Sequence, residues 1–342
     1  MTLKSDLPTP CLVVDIDLLE ANIARMAELA ARHKVKLRPH AKTHKSSAIA
    51  RRQVLAGAVG ISCSTIDEAE VMVGAGIGGV LVTSPIVGPG KIGRFVDLVA
   101  KAVDTRTVVD DLDATAQLAG ALEEKSLTGG VLIDVDVGQH RTGVRPDRAV
   151  DMARFISSRK ALRLDGFQAY AGNVQHIVDL SKRRSEALAV HAMVERLRAD
   201  LKQFLPDEPI VSGGGTGTHA FDADGSPFTE LQAGSYVFMD VEYGDTMPAG
   251  GGPWPFATSL HMLTTVVSAP VERKATTDAG TKAFATYGPL PRIVTEAFRD
   301  FGYGFSGDEH GFVTAPESAA PPVVGTVLEC IVGHCDPTVA QF

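Results

Sequence analysis

The sequence predicts an α/β chain: a closed (β/α)8 barrel of the TIM type, followed by a second, mostly β C-terminal domain. Three observations predict it. Short apolar runs alternate with amphipathic helical segments eight times between Val35 and Asp240, the rhythm of successive βα units. The run V-L-I-D-V-D-V, Val131 to Val137, is nearly continuous in apolar residues, as a strand covered on both faces should be. After Tyr243 helical periodicity fades, and strand-like runs punctuated by Pro and Gly take over.

In chain order, helical periodicity marks 18–33 and a strand follows over 35–41. A helix over 46–56 precedes the strand 60–64. Thr65 caps the next helix, starting near Ile66, with Glu68 three residues on in a capping-box pattern. The third strand covers 78–83 and its helix 89–102. The fourth covers 106–109, with a helix over 112–125. The fifth, 131–137, leads to a helix over 148–160. The sixth, 164–170, leads to a long amphipathic helix over 181–204. The seventh covers 209–212, and the eighth lies within 230–238. So many units in so short a stretch close into a barrel. The barrel is therefore expected over 15–242 and the β domain over 243–342, joined by 1–14, because the apolar run 11–14 stands before the helix–strand rhythm begins. Within the β domain, strands are expected at 263–269, 282–287 and 325–332.

Composition narrows the function classes. A net charge of -8 argues against a general nucleic-acid binder. The N-terminus lacks the apolar core of a signal peptide, and no run is long enough to span a membrane. The cysteines Cys11, Cys63, Cys330 and Cys335 show no C-x-x-C spacing. Reduced thiols in a cytoplasmic protein are the simplest expectation.

Chemistry in a barrel collects at the C-terminal ends of its strands, and the candidates fall there in succession. Lys42 follows the first strand in R-P-H-A-K-T-H-K, between Arg38, His40, His44 and Lys45. Neighbouring positive charge disfavours its ammonium form. A neutral amine there could form a Schiff base with an aldehyde cofactor such as pyridoxal 5'-phosphate (PLP); the competing reading is a basic surface turn. Arg141 follows the fifth strand in D-V-G-Q-H-R-T-G-V. Tyr170 ends the sixth in Q-A-Y-A-G-N-V-Q-H, which also supplies His176. The glycine run S-G-G-G-T-G-T, Ser212 to Thr218, follows the seventh. Its spacing is not a dinucleotide fingerprint. The amides of Gly213, Gly214, Gly215 and Gly217, with the hydroxyl of Thr216 or Thr218, are instead free to converge on a phosphate.

The last constellation is G-H-C-D-P-T, Gly333 to Thr338. On an extended strand His334 and Asp336 emerge on one face, and a histidine nitrogen with a carboxylate oxygen suits Mn²⁺, Mg²⁺ or Zn²⁺. Cys335 then faces the other way and packs; a surface turn before Pro337 is the alternative.

Taken together and in order, these motifs resemble the D-threonine aldolase and D-serine dehydratase group of fold-type III PLP enzymes, which share the alanine-racemase-like fold. E-L-Q-A-G-S-Y-V-F-M-D (230–240), D-A-G-T-K (278–282) and D-E-H-G (308–311) complete the match, which runs from about residue 9 to 338. The resemblance implies that Lys42 carries PLP and that the backbone of Gly214, Gly215 and Thr216 holds its phosphate. Arg141 and Tyr170 would contact the cofactor ring or a substrate carboxylate. His176 would be the general base, and His334 and Asp336 would bind a divalent metal, Mn²⁺ foremost.

The implied activity is metal-dependent retro-aldol cleavage of a 3-hydroxy-D-amino acid to glycine and an aldehyde. A His-x-Asp pair resembles the aldolases, whereas His-x-Cys resembles the dehydratases. D-serine or D-threonine dehydration and 3-hydroxy-D-aspartate cleavage remain alternatives on the same residues. A non-catalytic PLP carrier would lack both the β domain and the metal pair. The resemblance also implies a homodimer. Family members continue further beyond the metal pair than Phe342, which implies a thinner supporting shell around Asp336.

Overall fold

The computed structural model describes residues 3–342, so Met1 and Thr2, at the start of the segment 1–14, lie outside the described residues. The chain divides into two units, one built from 23–234 and 247–252, the other from 3–22, 235–246 and 253–342. β1 (Cys11–Val14) and α1 (Ile16–His33) come first. The barrel elements follow: β2 (Lys36–Leu37), α2 (Ser47–Leu55), β3 (Ser62–Cys63), α3 (Ile66–Gly74), β4 (Leu81–Val82), α4 (Pro89–Lys101), β5 (Arg106–Val109) and α5 (Leu112–Glu124). Then come β6 (Gly129–Asp134), α6 (Ala149–Ser157), β7 (Leu162–Ala169), α7 (Leu180–Leu201), β8 (Ile210–Gly213), α8 (His219–Ala223) and β9 (Glu230–Leu231).

Strands β2 to β9 form one parallel sheet in the order β2-β9-β8-β7-β6-β5-β4-β3. The parallel bridge between His40 and Ser62 joins its two ends, and the barrel is closed. Side chains at the strand ends start the helices. Ser46, Asp111 and Asp179 each accept an amide from the first turn that follows them, satisfying donors that have no partner within the helix. At α3, Thr65 Oγ1 accepts the Glu68 amide (3.2 Å), while the Glu68 carboxylate accepts the Ser64 amide (2.7 Å), one residue earlier than in a strict capping box.

Inside the barrel an apolar layer of Leu81, Val108 and Leu132 packs with Ile210. Two residues further along the strands the same face turns polar, because side chains of period two share a face: Leu132 is followed by Asp134, and Ile210 by Ser212. In this second layer Ser212 Oγ donates to Glu230 Oε1 (2.7 Å), and Gln232 Nε2 donates to Ser212 Oγ and Gln168 Oε1 (2.8 and 3.0 Å). Gln168 Nε2 donates in turn to Asp134 Oδ1 (2.9 Å). A buried network of this kind is stable only because its members are satisfied.

In the second unit, α9 (Val241–Gly244) precedes the antiparallel strands β10 (Leu260–Val271), β11 (Lys274–Thr277), β12 (Arg292–Ile293), β13 (Gly302–Phe305), β14 (Gly311–Thr314) and β15 (Val327–Ile331), and α10 (Cys335–Val339) follows them. The strand order is β12-β15-β10-β11-β14-β13, and β1 pairs with β10, placing Cys11 opposite Leu263.

Three local expectations change. The segment 282–287 forms turns instead of a strand: the Ala283 and Phe284 amides both return to the Gly280 carbonyl. The eighth barrel strand is short, and its continuation Ser235–Val237 is a 3-10 turn. His334 caps α10, and Asp336 lies in its first turn, so the pair is not on an extended strand. Among the described residues no helix is long and apolar enough to cross a membrane, and all four cysteines are free thiols.

Candidate active site

Lys42 lies half-buried in the single 3-10 turn, Ala41–Thr43, that follows β2. The positive crowd expected around it disperses. Arg38 turns into the barrel and pairs with Glu230, and Lys45 Nζ sits 3.8 Å from Glu68 Oε1. His40 Nδ1 accepts the Lys42 amide (3.4 Å), and its Nε2 lies 3.0 Å from Thr83 Oγ1, a hydroxyl that donates onward to Cys63 O. His44 repeats the pattern, with Nδ1 accepting the Ser46 amide (3.0 Å) and Nε2 facing Gln53 Oε1 (3.3 Å). Each imidazole is thus tied through Nδ1 to the backbone of its own turn. Lys42 keeps its position at a strand end, but the two neighbouring cations, Arg38 and Lys45, are directed to carboxylates.

Arg141 stands exposed in the loop after β6, its guanidinium 5.9 Å from the centre of the Tyr170 ring, within cation–π range. Carboxylates at the strand ends hold this loop. Asp134 Oδ2 accepts the Thr142 hydroxyl (2.8 Å), Asp110 Oδ2 the Gly143 amide (2.9 Å), and Asp136 Oδ1 the amides of Gly138 and His140. Burial raises the Asp134 pKa against the lowering effect of its bonds to Gln168 and Thr142. Gln139 Oε1 reaches across to the Gly172 amide (3.1 Å) and so ties this loop to the one carrying Tyr170 and His176.

The glycine run after β8 is buried throughout. Gly214 has φ +68°, a conformation open to glycine at no steric cost. A Cβ on Gly215 would lie 2.4 Å from Gln175 Oε1, and one on Gly217 only 1.9 Å from Gln175 O. The Gly217 amide, expected to be free for an anion, donates to Gln175 Oε1 (3.0 Å), as does the Thr218 amide (3.2 Å). The Thr218 hydroxyl is likewise engaged, with Gln175 and Asp222. The Gly215 amide has no partner among the described residues. Asp222, behind the run, is bonded to His191 Nε2 (2.9 Å). His219 Nδ1 donates to Thr216 O (2.7 Å), and burial lowers the pKa of this imidazole.

His176 is half-buried, directly after Gln175. On its other side the Ile177 carbonyl accepts from Arg183 Nη1, whose Nη2 donates to Met247 O. The Arg183 side chain is fully buried, and burial lowers its pKa. Lys42, Arg141, Tyr170, His176 and the glycine run thus all follow C-terminal strand ends of one barrel.

His334 and Asp336 belong to the other unit. Glu242 Oε2 lies 2.5 Å from His334 Nδ1. Asp336 Oδ1 accepts from Ser235 Oγ (3.2 Å) and from Cys335 Sγ (3.4 Å). Cys335 is therefore buried against the Asp336 carboxylate and does not face away, as it would on a strand; burial and the charges of Asp240 and Asp336 push its thiol pKa up. Asp240 accepts the Tyr243 and Cys335 amides (both 2.9 Å), and burial raises its pKa to about 6. Among the described residues no group of three or more His, Cys, Asp or Glu side chains is arranged to hold a metal ion. His334 and Asp336 are two donors of suitable chemistry, and an ion on them would need further oxygen ligands from water or substrate.

Sequence reasoning did not single out Gln139, Gln175, Arg183, His191, Asp222 or Glu242. Gln139 and Gln175 had a visible signal, each standing in a quoted strand-end motif, D-V-G-Q-H-R-T-G-V and Q-A-Y-A-G-N-V-Q-H.

Residues 14–242 match the family model described as alanine racemase, N-terminal domain, and 259–342 match the putative serine dehydratase domain. A D-threonine aldolase of Arthrobacter sp is 39% identical over 335 residues, covering 96% of this chain and 86% of the relative. A 3-hydroxy-D-aspartate aldolase of Paracoccus denitrificans (strain Pd 1222) is 35% identical over 342 residues, covering 98% and 87%. The crystal structure of D-threonine aldolase from Filomicrobium marinum matches with a TM-score of 0.94 at 35% identity, covering 99% of this chain and 91% of that one.

Proposed function

Since the chain belongs to the alanine racemase N-terminal domain family and carries a putative serine dehydratase domain behind it, we propose that it is a PLP- and divalent-metal-dependent aldehyde-lyase. It cleaves 3-hydroxy-D-amino acids of the D-threonine type into glycine and an aldehyde. The observation that carries this reading is the buried glycine run after β8, too tightly packed for side chains at Gly215 and Gly217, at the same end of the barrel as the half-buried Lys42 after β2. A phosphate seat and a primary amine so disposed fit PLP, and the names of the relatives supply the substrate class and its D configuration.

When bound, PLP supplies an electron-withdrawing ring that stabilises negative charge at the substrate Cα. Lys42 would hold the aldehyde end of the cofactor, and the backbone of Gly214, Gly215 and Thr216 would hold its phosphate. Arg141, braced over Tyr170, offers a cation to the cofactor ring or the substrate carboxylate. His176 accepts the proton of the β-hydroxyl as the Cα–Cβ bond breaks, the role of a general base. His334 and Asp336 would hold a divalent ion, whose chemistry when bound is that of a Lewis acid.

Product analysis tests the proposal. PLP-loaded protein stripped of metal is incubated with D-threonine, with and without added Mn²⁺. Glycine and acetaldehyde in equal amounts, formed only with the metal, are expected. 2-Oxobutyrate and ammonia would make the protein a dehydratase, and neither product would overturn the reading.

A further inference from the structure

Gln175 is 2% exposed and uses every polar atom of its side chain. Oε1 accepts the Gly217 and Thr218 amides, and Nε2 donates to Thr218 Oγ1 (2.9 Å) and to Ala171 O (3.2 Å). It is wedged as closely: its main-chain carbonyl occupies the place a Gly217 side chain would need, and its side-chain amide fills the place of one on Gly215. From Thr218 the contacts continue through Asp222 to His191, both buried. The next residue in the chain is His176. The loop bearing that histidine is therefore fastened on one flank to the glycine run, and on the other to Arg183 through Ile177 O.

We infer that Gln175 is a positioning residue that couples the phosphate seat to His176: the glycine run and the loop 172–177 move as one body because this amide is their joint. The inference rests on the proposed PLP site. A phosphate drawing the Gly214–Thr216 backbone into order draws Gly217 and Thr218 with it, and their two amides set the place of Gln175 and hence of His176. Without the amide, two buried backbone donors lose their acceptor, a penalty that falls on the seat whether or not the barrel stays folded.

The full-length protein is titrated with PLP and, separately, with pyridoxal, which lacks the phosphate. Hydrogen exchange of segments 172–177 and 213–218 is followed with and without PLP. Wild type is expected to bind PLP and to slow exchange in both segments. Gln175→Ala is expected to bind PLP about tenfold more weakly, to change pyridoxal affinity by less than about threefold, and to confine protection to 213–218. Thr218→Val, which leaves both amides on Gln175 Oε1, should show the same loss of preference for PLP at smaller size and keep protection in both segments. Equal weakening toward PLP and pyridoxal, or undiminished protection of 172–177 in Gln175→Ala, would overturn the coupling and leave the proposed function standing. A wild type that binds no PLP would overturn the proposed function and the coupling with it.

Discussion

Arg38 and Glu230 form a two-pronged ion pair inside the barrel, Nε to Oε1 and Nη2 to Oε2 both at 2.9 Å, with side chains only 5% and 2% exposed. Glu230 also accepts from Ser212 Oγ, and Arg38 Nη1 donates to Gly79 O. An arginine that sequence places beside Lys42 is thus a structural member of the barrel interior. Removing one partner leaves the other buried and unpaired, which costs roughly 3–5 kcal/mol, more than the pair itself contributes. Arg38→Met and Glu230→Leu should each lower the unfolding free energy by about that much in urea titrations. The double variant Arg38→Met, Glu230→Leu should lose less than the sum of two separate losses. Strict additivity would mean that the two groups do not interact.

Lys42 is half-buried, whereas Lys45 is exposed beside Glu68. Borohydride reduction of the PLP-loaded protein, followed by peptide mapping, should therefore give one pyridoxyl adduct, on Lys42, and Lys42→Ala should give none. An adduct mapping to Lys45 in wild type would move the attachment point, and an adduct retained by Lys42→Ala would remove Lys42 from the role.

The barrel was legible because its signals are local. Apolar runs recur at strand spacing, and Ser46, Thr65, Asp111 and Asp179 mark helix starts by chemistry that acts within one turn. The β domain was less so. β11 and β14 are only four residues each, β11 is K-A-T-T, and β13 and β14 carry glycines, so neither apolar content nor length distinguishes them from turns. At the site, residues at strand ends could be found by position in the repeat. Asp222 and His191 could not, and the Q-H motif marked Gln175 without its role, because what defines them is burial against segments distant in sequence: Gln175 lies 42 residues from Gly217, and Asp222 31 from His191. The same limit misplaced the charges around Lys42, since the partners of Arg38 and Lys45 lie on other elements. It also put His334 and Asp336 on a strand, where the structure has a helix start.

The proximity of Glu242 Oε2 to His334 Nδ1 at 2.5 Å leads to a prediction about metal affinity. With Nδ1 held by a carboxylate, the ring nitrogen that would take a metal is Nε2, in the orientation the carboxylate sets. Burial opposes a charged His334, but the hydrogen bond it donates to Glu242 and the charges of Asp240, Asp336 and Glu242 prevail and raise its pKa. Metal and proton compete for this ring. As pH falls the ring is protonated earlier than an ordinary histidine, so Mn²⁺ affinity should weaken already above the usual histidine range and reach its plateau only at higher pH. Glu242→Gln removes the negative partner and the strong acceptor together. Its midpoint should shift to lower pH, while the plateau affinity falls by about tenfold because the ring is less firmly held. Calorimetric Mn²⁺ titrations from about pH 6 to about pH 9 measure both quantities. A midpoint that moves to lower pH together with a lower plateau is the expected signature of a carboxylate that both charges and orients the ring. Identical curves for wild type and variant would show that Glu242 has no part in the metal site.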